Sequence, residues 1–124
     1  MRILIVDDSA MMRKMIRRVL DVLDLPIEEV FEAANGADGL KVLQTEDVDV
    51  LLTDINMPVM TGTELLREMQ ARDQWRGIVR VVITTDGSDS RRHEADGLSV
   101  SVYVEKPFRP EEMRDVLTSL TTAR

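Results

Sequence analysis

Val48-Asp49-Val50-Leu51-Leu52-Thr53-Asp54-Ile55-Asn56-Met57-Pro58-Val59-Met60-Thr61-Gly62 is the stretch on which the reading of this chain turns. Val48 to Thr53 is a short run rich in β-branched and apolar residues, as a strand buried on both faces of a parallel sheet requires. The run stops at Asp54, and Asn56-Met57-Pro58 and Thr61-Gly62 bracket a loop. A carboxylate at the end of a buried strand gains nothing from the fold, so it argues for chemistry. The same pattern stands at the amino terminus, where Ile3-Leu4-Ile5-Val6 ends in Asp7-Asp8. If the two strands are neighbours, about 5 Å apart, the three acids meet in one small pocket. There they repel one another unless a cation or a shared proton intervenes. A hard divalent ion held by oxygens is the economical answer, with Mg²⁺ first and Mn²⁺ as the alternative.

Working outward, strand and helix signals alternate along the whole chain. Ser9 to Leu23 reads as a helix, with Met12, Met15, Ile16, Val19, Leu20 and Leu23 at the helical period and Ser9 or Asp8 as its cap. Leu25-Pro26 ends it. Glu29 to Ala33 reads as an edge strand, and Asn35-Gly36 turns into a helix over Ala37 to Thr45 that carries Leu40 and Leu43 inward. After the 48–53 strand and its loop, a helix near Thr63 to Arg72 presents Leu65, Leu66 and Met69. Ile78 to Thr84 is the next strand. From Thr85 to Ser99 the helical signal is weak, with two glycines and few apolar residues, so a short or mobile helix is expected there. Val100 to Val104 is a fifth strand. Arg109-Pro110-Glu111-Glu112 opens a last helix through Leu120, with Met113, Val116, Leu117 and Leu120 as its buried stripe. Five strand–helix units imply an α/β fold, an open parallel sheet covered by helices, with ligands beyond the carboxyl ends of the strands.

Composition narrows the function classes. A chain of 124 residues with 44% apolar content suits one domain with one core, and no output domain is expected within 1–124. The net charge of −7 disfavours nucleic acid and anionic membrane surfaces as partners. The absence of cysteine excludes disulfides and thiolate chemistry. No stretch has the length of a signal-peptide core or a membrane span, so a cytoplasmic protein, most simply a monomer, is expected. His93 has no second ligand at metal spacing and receives no role. Arg13, Lys14, Arg17 and Arg18 lie on the polar side of the first helix, as a solvated face or, more sharply, as a docking patch.

The acidic pair Asp7-Asp8, the run from Thr53 to Gly62, Thr84, Tyr103 and Lys106-Pro107-Phe108 together resemble the receiver domains of two-component response regulators, especially the single-domain chemotaxis receivers. Order and spacing carry the resemblance, since Thr84 follows Asp54 by thirty residues and Lys106 follows Thr84 by twenty-two. It covers about Arg2 to Leu120. It implies a flavodoxin-like (βα)5 doubly wound fold with strand order 2-1-3-4-5; the strand order rests on the resemblance alone. It also implies that Asp54 is the phosphoacceptor, attacking a phosphohistidine on a partner histidine kinase. Asp8 and Asp54 would ligate Mg²⁺, Asp7 mainly through water, with the Asn56 backbone carbonyl as a further oxygen, and Lys106 would meet a phosphoryl oxygen. Thr84 and Tyr103 would form the switch, with Thr85 as the alternative hydroxyl, and Asn56 and Asp86 would tune dephosphorylation. The implied protein is a signalling phosphoacceptor and not an enzyme acting on other substrates. A flagellar motor switch component would read the phosphate, or a histidine phosphotransfer protein would receive it in a phosphorelay. A receiver cut from a longer regulator is a further alternative. A Mg²⁺-dependent phosphatase with an aspartate nucleophile is disfavoured because Asn56 stands where its second acid would be, and an amide cannot serve as general acid and base.

Overall fold

The structure is a computed structural model that describes residues 1–85, 88 and 97–122, of which 121 and 122 are described by their backbone alone. In chain order the elements are β1 (Arg2–Val6), α1 (Ala10–Val22), β2 (Glu29–Ala33), α2 (Gly36–Thr45), β3 (Val50–Thr53), α3 (Gly62–Gln70), a 3-10 turn (Asp73–Trp75), β4 (Val79–Thr84), β5 (Val102–Glu105) and α4 (Pro110–Thr122). The five strands form one sheet of order β2-β1-β3-β4-β5. Every pairing is parallel.

The period of two along each strand explains why the central strands are continuously apolar. Ile3 and Ile5 of β1 join Val50, Leu52, Val81 and Ile83 on one face, packed against Ile16 and Leu20 of α1 and Met113 and Leu117 of α4. Leu4, Val6, Leu51 and Val82 go to the other face, against Leu43 of α2 and Leu65, Leu66 and Met69 of α3. Both faces are therefore covered, and each such side chain contributes about 1.5–3 kcal/mol on full burial. β2 lies at one edge, with Glu29 and Glu32 exposed, as its sequence implies.

Local chemistry sets the helix starts. The Ser9 side chain accepts from the Met12 backbone N–H, and that of Asn35 from Asp38. Thr61 and Glu64 form a reciprocal capping box at the start of α3.

The structure departs from the sequence expectation at Met15 and at several element boundaries; β3 begins at Val50 rather than Val48 and β4 at Val79 rather than Ile78. Met15 is 43% exposed and lies outside the buried stripe of α1. α3 stops at Gln70, and a 3-10 turn follows where the apolar period extends the helix to Arg72. Asn35 supplies the cap of α2, so Gly36 is already helical rather than part of a turn. β5 begins at Val102, two residues late, because Ser101 ties the incoming chain to β4, donating from its N–H to the Arg80 carbonyl and accepting the Arg80 N–H on its hydroxyl. The weak helix expected within Thr85 to Ser99 falls mostly outside the described residues.

Candidate functional site

Register brings the acids together. Val6 of β1 pairs with Ala33 on one side and Thr53 on the other, so Asp7 and Asp54 are the next residues on adjacent strands. The ladder continues past them, with the Asp7 N–H donating to the Ala33 carbonyl and the Asp54 N–H to the Val6 carbonyl. Asp7 is buried, Asp54 is partly buried and Asp8 is exposed. One carboxylate oxygen from each lies within 4.8 Å of the others.

Lys106 reaches this cluster from the far side of the sheet. It follows Glu105, the partner of Thr84, and its N–H donates to the Thr84 carbonyl at 2.8 Å. Its Nζ lies 3.1 Å from Asp7 Oδ2 and 3.2 Å from Asp54 Oδ2. Burial pushes the ammonium pKa down, but the hydrogen bond and charge of Asp7 with the charge of Asp54 outweigh it, and the net shift is upward. The Lys106–Pro107 peptide is cis.

The other carboxylate oxygens of Asp7 and Asp54 are held by the backbone. Asp54 Oδ1 accepts from the Ile55 N–H at 2.7 Å, and Asp7 Oδ1 from the Ser9 N–H at 2.9 Å. Gly62 packs directly on this loop: its N–H donates to the Ile55 carbonyl, and a Cβ there would lie 2.0 Å from the Asp54 carbonyl oxygen. Val59, in the same loop, is 83% exposed. Its φ of 68° is unusual for a β-branched residue.

Three carboxylates against one ammonium leave an excess of negative charge in a pocket of hard oxygen donors. That donor set fits a divalent cation such as Mg²⁺ and offers nothing to a soft metal. Thr84 is buried at the end of β4, and Tyr103 is half-buried in β5 opposite Val82. Asn56 is exposed two residues beyond Asp54. Asp86 lies outside the described residues.

Residues 3–118 match the response regulator receiver domain. The chain belongs to that family. The receiver is 36% identical over 118 residues to a chemotaxis protein CheY homolog of Campylobacter jejuni, covering 94% of this chain and 89% of that one. It is equally similar to chemotaxis protein CheY1 of Helicobacter pylori, at 36% over 94% of each chain. Among solved structures, chemotaxis response regulator CheY4 of Vibrio cholerae superposes with a TM-score of 0.83 at 32% identity, covering 95% of this receiver and 96% of that chain. The response regulatory domain of protein mrkE from Klebsiella pneumoniae gives 0.86 at 28% identity, covering 99% and 97%.

Two groups around the receiver's acids have roles that the sequence does not show. Arg13 donates from Nη1 to the Asp7 backbone carbonyl at 2.6 Å and from Nε to Glu32 at 3.1 Å, and Arg17 holds the other oxygen of Glu32 at 2.9 Å. The pair braces the Asp7-Asp8 turn against β2. Their position on α1 is visible in the sequence, but the acceptor is a backbone carbonyl and leaves no trace in residue type. Among the described residues no helix is long and apolar enough to cross a membrane.

Proposed function

We propose that this receiver accepts a phosphoryl group from a phosphohistidine of a partner kinase onto Asp54 and signals by a phosphorylation-dependent protein contact. The observation that carries the reading is the position of Lys106, whose ammonium bridges Asp7 and Asp54 beside three converging carboxylates. In the step, a carboxylate oxygen of Asp54 forms a bond to phosphorus while the phosphorus–nitrogen bond to histidine breaks, and the imidazole leaves neutral once protonated. Both reactants are anionic, so catalysis consists mainly of charge neutralisation and in-line positioning. Asp8 and Asp54, with Asp7 through water and the Asn56 carbonyl, would hold Mg²⁺, which when bound supplies the positive charge that offsets the developing oxyanion. Lys106 exchanges its contact with Asp54 for a phosphoryl oxygen and remains tied to Asp7. The backbone N–H of Ile55 keeps the acceptor carboxylate oriented.

Phosphorylation adds about −1.5 to −2 charge and three acceptor oxygens. Thr84, at the end of the neighbouring strand, is the hydroxyl that answers it, and Tyr103 on β5 is the ring whose packing follows. Asn56 and Asp86 flank the route of an attacking water. The relatives named as chemotaxis proteins favour a flagellar motor switch component as the reader of this signal.

The test is incubation with acetyl phosphate and Mg²⁺, followed by intact mass, with Asp54→Asn in parallel. An adduct of one phosphoryl group that needs Mg²⁺ and is missing from the variant is expected. No adduct on the wild-type chain with acetyl phosphate or with a phosphorylated kinase would sink the reading.

A further inference from the structure

Arg80 stands in an otherwise apolar strand and is 2% exposed. Among the described residues its guanidinium donates only to neutral acceptors: Gln70 Oε1 at 3.0 Å, the Trp75 carbonyl at 3.0 Å and the Leu98 carbonyl at 3.3 Å. No charged group among the described residues offsets it; burial alone shifts its ionisation, downward. An arginine nonetheless stays protonated, so the chain carries a buried cation without a counter-charge among those residues.

Arg80 lines a cavity of about 160 Å³ together with Met69, Gln70, Arg72, Arg76 and Ser99. Two buried side-chain polar atoms among the described residues lack a hydrogen-bond partner, Arg80 Nε and Arg72 Nη1, and both belong to arginines of this one cavity. Arg72 stands over the Trp75 ring at 5.0 Å, with Nη1 3.5 Å from Glu68. Arg76 pairs with Asp73 at 2.6 Å. The two outer arginines thus have exposed acidic neighbours, and the inner one has none among the described residues. In a chain of net charge −7 this is a local excess of positive charge, with Arg80 buried behind the exposed Arg76 and the partly exposed Arg72.

We propose that this cavity binds a small tetrahedral oxyanion of the phosphate class. Guanidinium groups present paired N–H donors that match the oxygens of such an ion and hold it with charge-assisted hydrogen bonds. The volume equals about five waters at roughly 30 Å³ each, enough for a phosphate or sulfate ion and too little for a nucleotide. The site is separate from the acids, because Arg80 precedes Thr84 by four residues, on the order of 13 Å along the strand.

The experiment is thermal unfolding of the whole chain in EDTA at constant ionic strength, with chloride replaced stepwise by inorganic phosphate, by sulfate or by phosphoserine. A saturable rise in Tm with phosphate and sulfate is expected, since an ion that binds only the folded chain stabilises it by mass action. A rise with phosphoserine equal to that with phosphate would point to a phosphomonoester as the natural source; a weaker one would point to the free ion. Arg72→Gln/Arg76→Gln should weaken apparent phosphate affinity at least about tenfold, as loss of charged donors does. Arg80→Met should abolish the response, and if it fails to fold the double variant decides alone. Lys106→Ala should keep the response, which separates this cavity from the acid cluster. No saturable rise in the wild type, or an undiminished rise in the arginine variants, overturns the proposal.

Discussion

Lys106 is the residue on which the electrostatics of the acid cluster rest. Its side chain and that of Asp7 are 12% and 3% exposed, so removing the ammonium leaves two carboxylates facing each other with little water to separate them. Lys106→Ala is expected to lower stability in EDTA by about 3 kcal/mol, the usual cost of breaking a buried pair. Added Mg²⁺ should recover part of it, and urea unfolding with and without the ion measures both. The pH dependence has a definite sign. The folded pKa of Lys106 is raised above its ordinary value of 10.5, so its stabilisation is complete below that value and disappears as pH climbs through the higher folded value. Neutral pH therefore leaves the ion pair untouched, and the alkaline limb of a Tm profile should be less steep in Lys106→Ala. Two backbone positions bear opposite predictions. Gly62→Ala drives a Cβ into the Asp54 carbonyl and should cost about 3 kcal/mol or more, whereas Gly77→Ala, with nothing within 4 Å, should be nearly silent. Val59→Gly removes a β-branched residue from left-handed backbone and should stabilise by about 1 kcal/mol in the same unfolding assay.

At the scale of the element, α3 shows how a local motif supports the acceptor. Its capping box fixes Thr61 and Glu64, and the residue between cap and helix body, Gly62, is the one packed on Asp54. Thr61→Ala should cost about 1 kcal/mol of stability. Glu64 is held below its ordinary 4.5, first by the Thr61 backbone N–H and then by its hydroxyl. Its contribution is present above that value and is lost as pH falls through the lower folded pKa, so Glu64→Gln should flatten the acid limb of the Tm profile. Element types are legible in the sequence wherever one physical signal dominates: β1, β2, α1 and the strand end at Thr53 follow from apolar period and caps. Boundaries are lost where a tertiary bond decides them, as at Ser101, whose bonds to Arg80 delay β5, and at Gln70, where α3 gives way to a 3-10 turn. The convergence of Asp7, Asp8 and Asp54 follows from two adjacent strands ending in acids. The place of Lys106 comes from resemblance alone, because nothing in a lysine before a proline says which strand end it will face. Arg80 is visible as a charge inside an apolar run, but its neutral partners are backbone carbonyls and an amide.

On the scale of the whole molecule, the acid cluster, Thr84 and Lys106 all lie at the carboxyl ends of neighbouring strands, and the arginine cavity lies toward the opposite end of β4. Saturating Mg²⁺ should raise the midpoint of unfolding without altering the dependence on denaturant, and Asp8→Asn should remove that rise while leaving the fold intact, since Asp8 is exposed. Each strand pairing joins segments separated by a helix or a long connection, and β1, which precedes both of its partners in the chain, occupies an interior place between β2 and β3. That placement has a kinetic consequence. Until both neighbours have been synthesised and docked, Ile3 to Val6 is a short, uncharged, β-branched ribbon with both hydrogen-bonding edges open. The nascent chain is therefore most prone to self-association before residue 53 has emerged, and β1 closes only as loop-closure entropy is overcome twice.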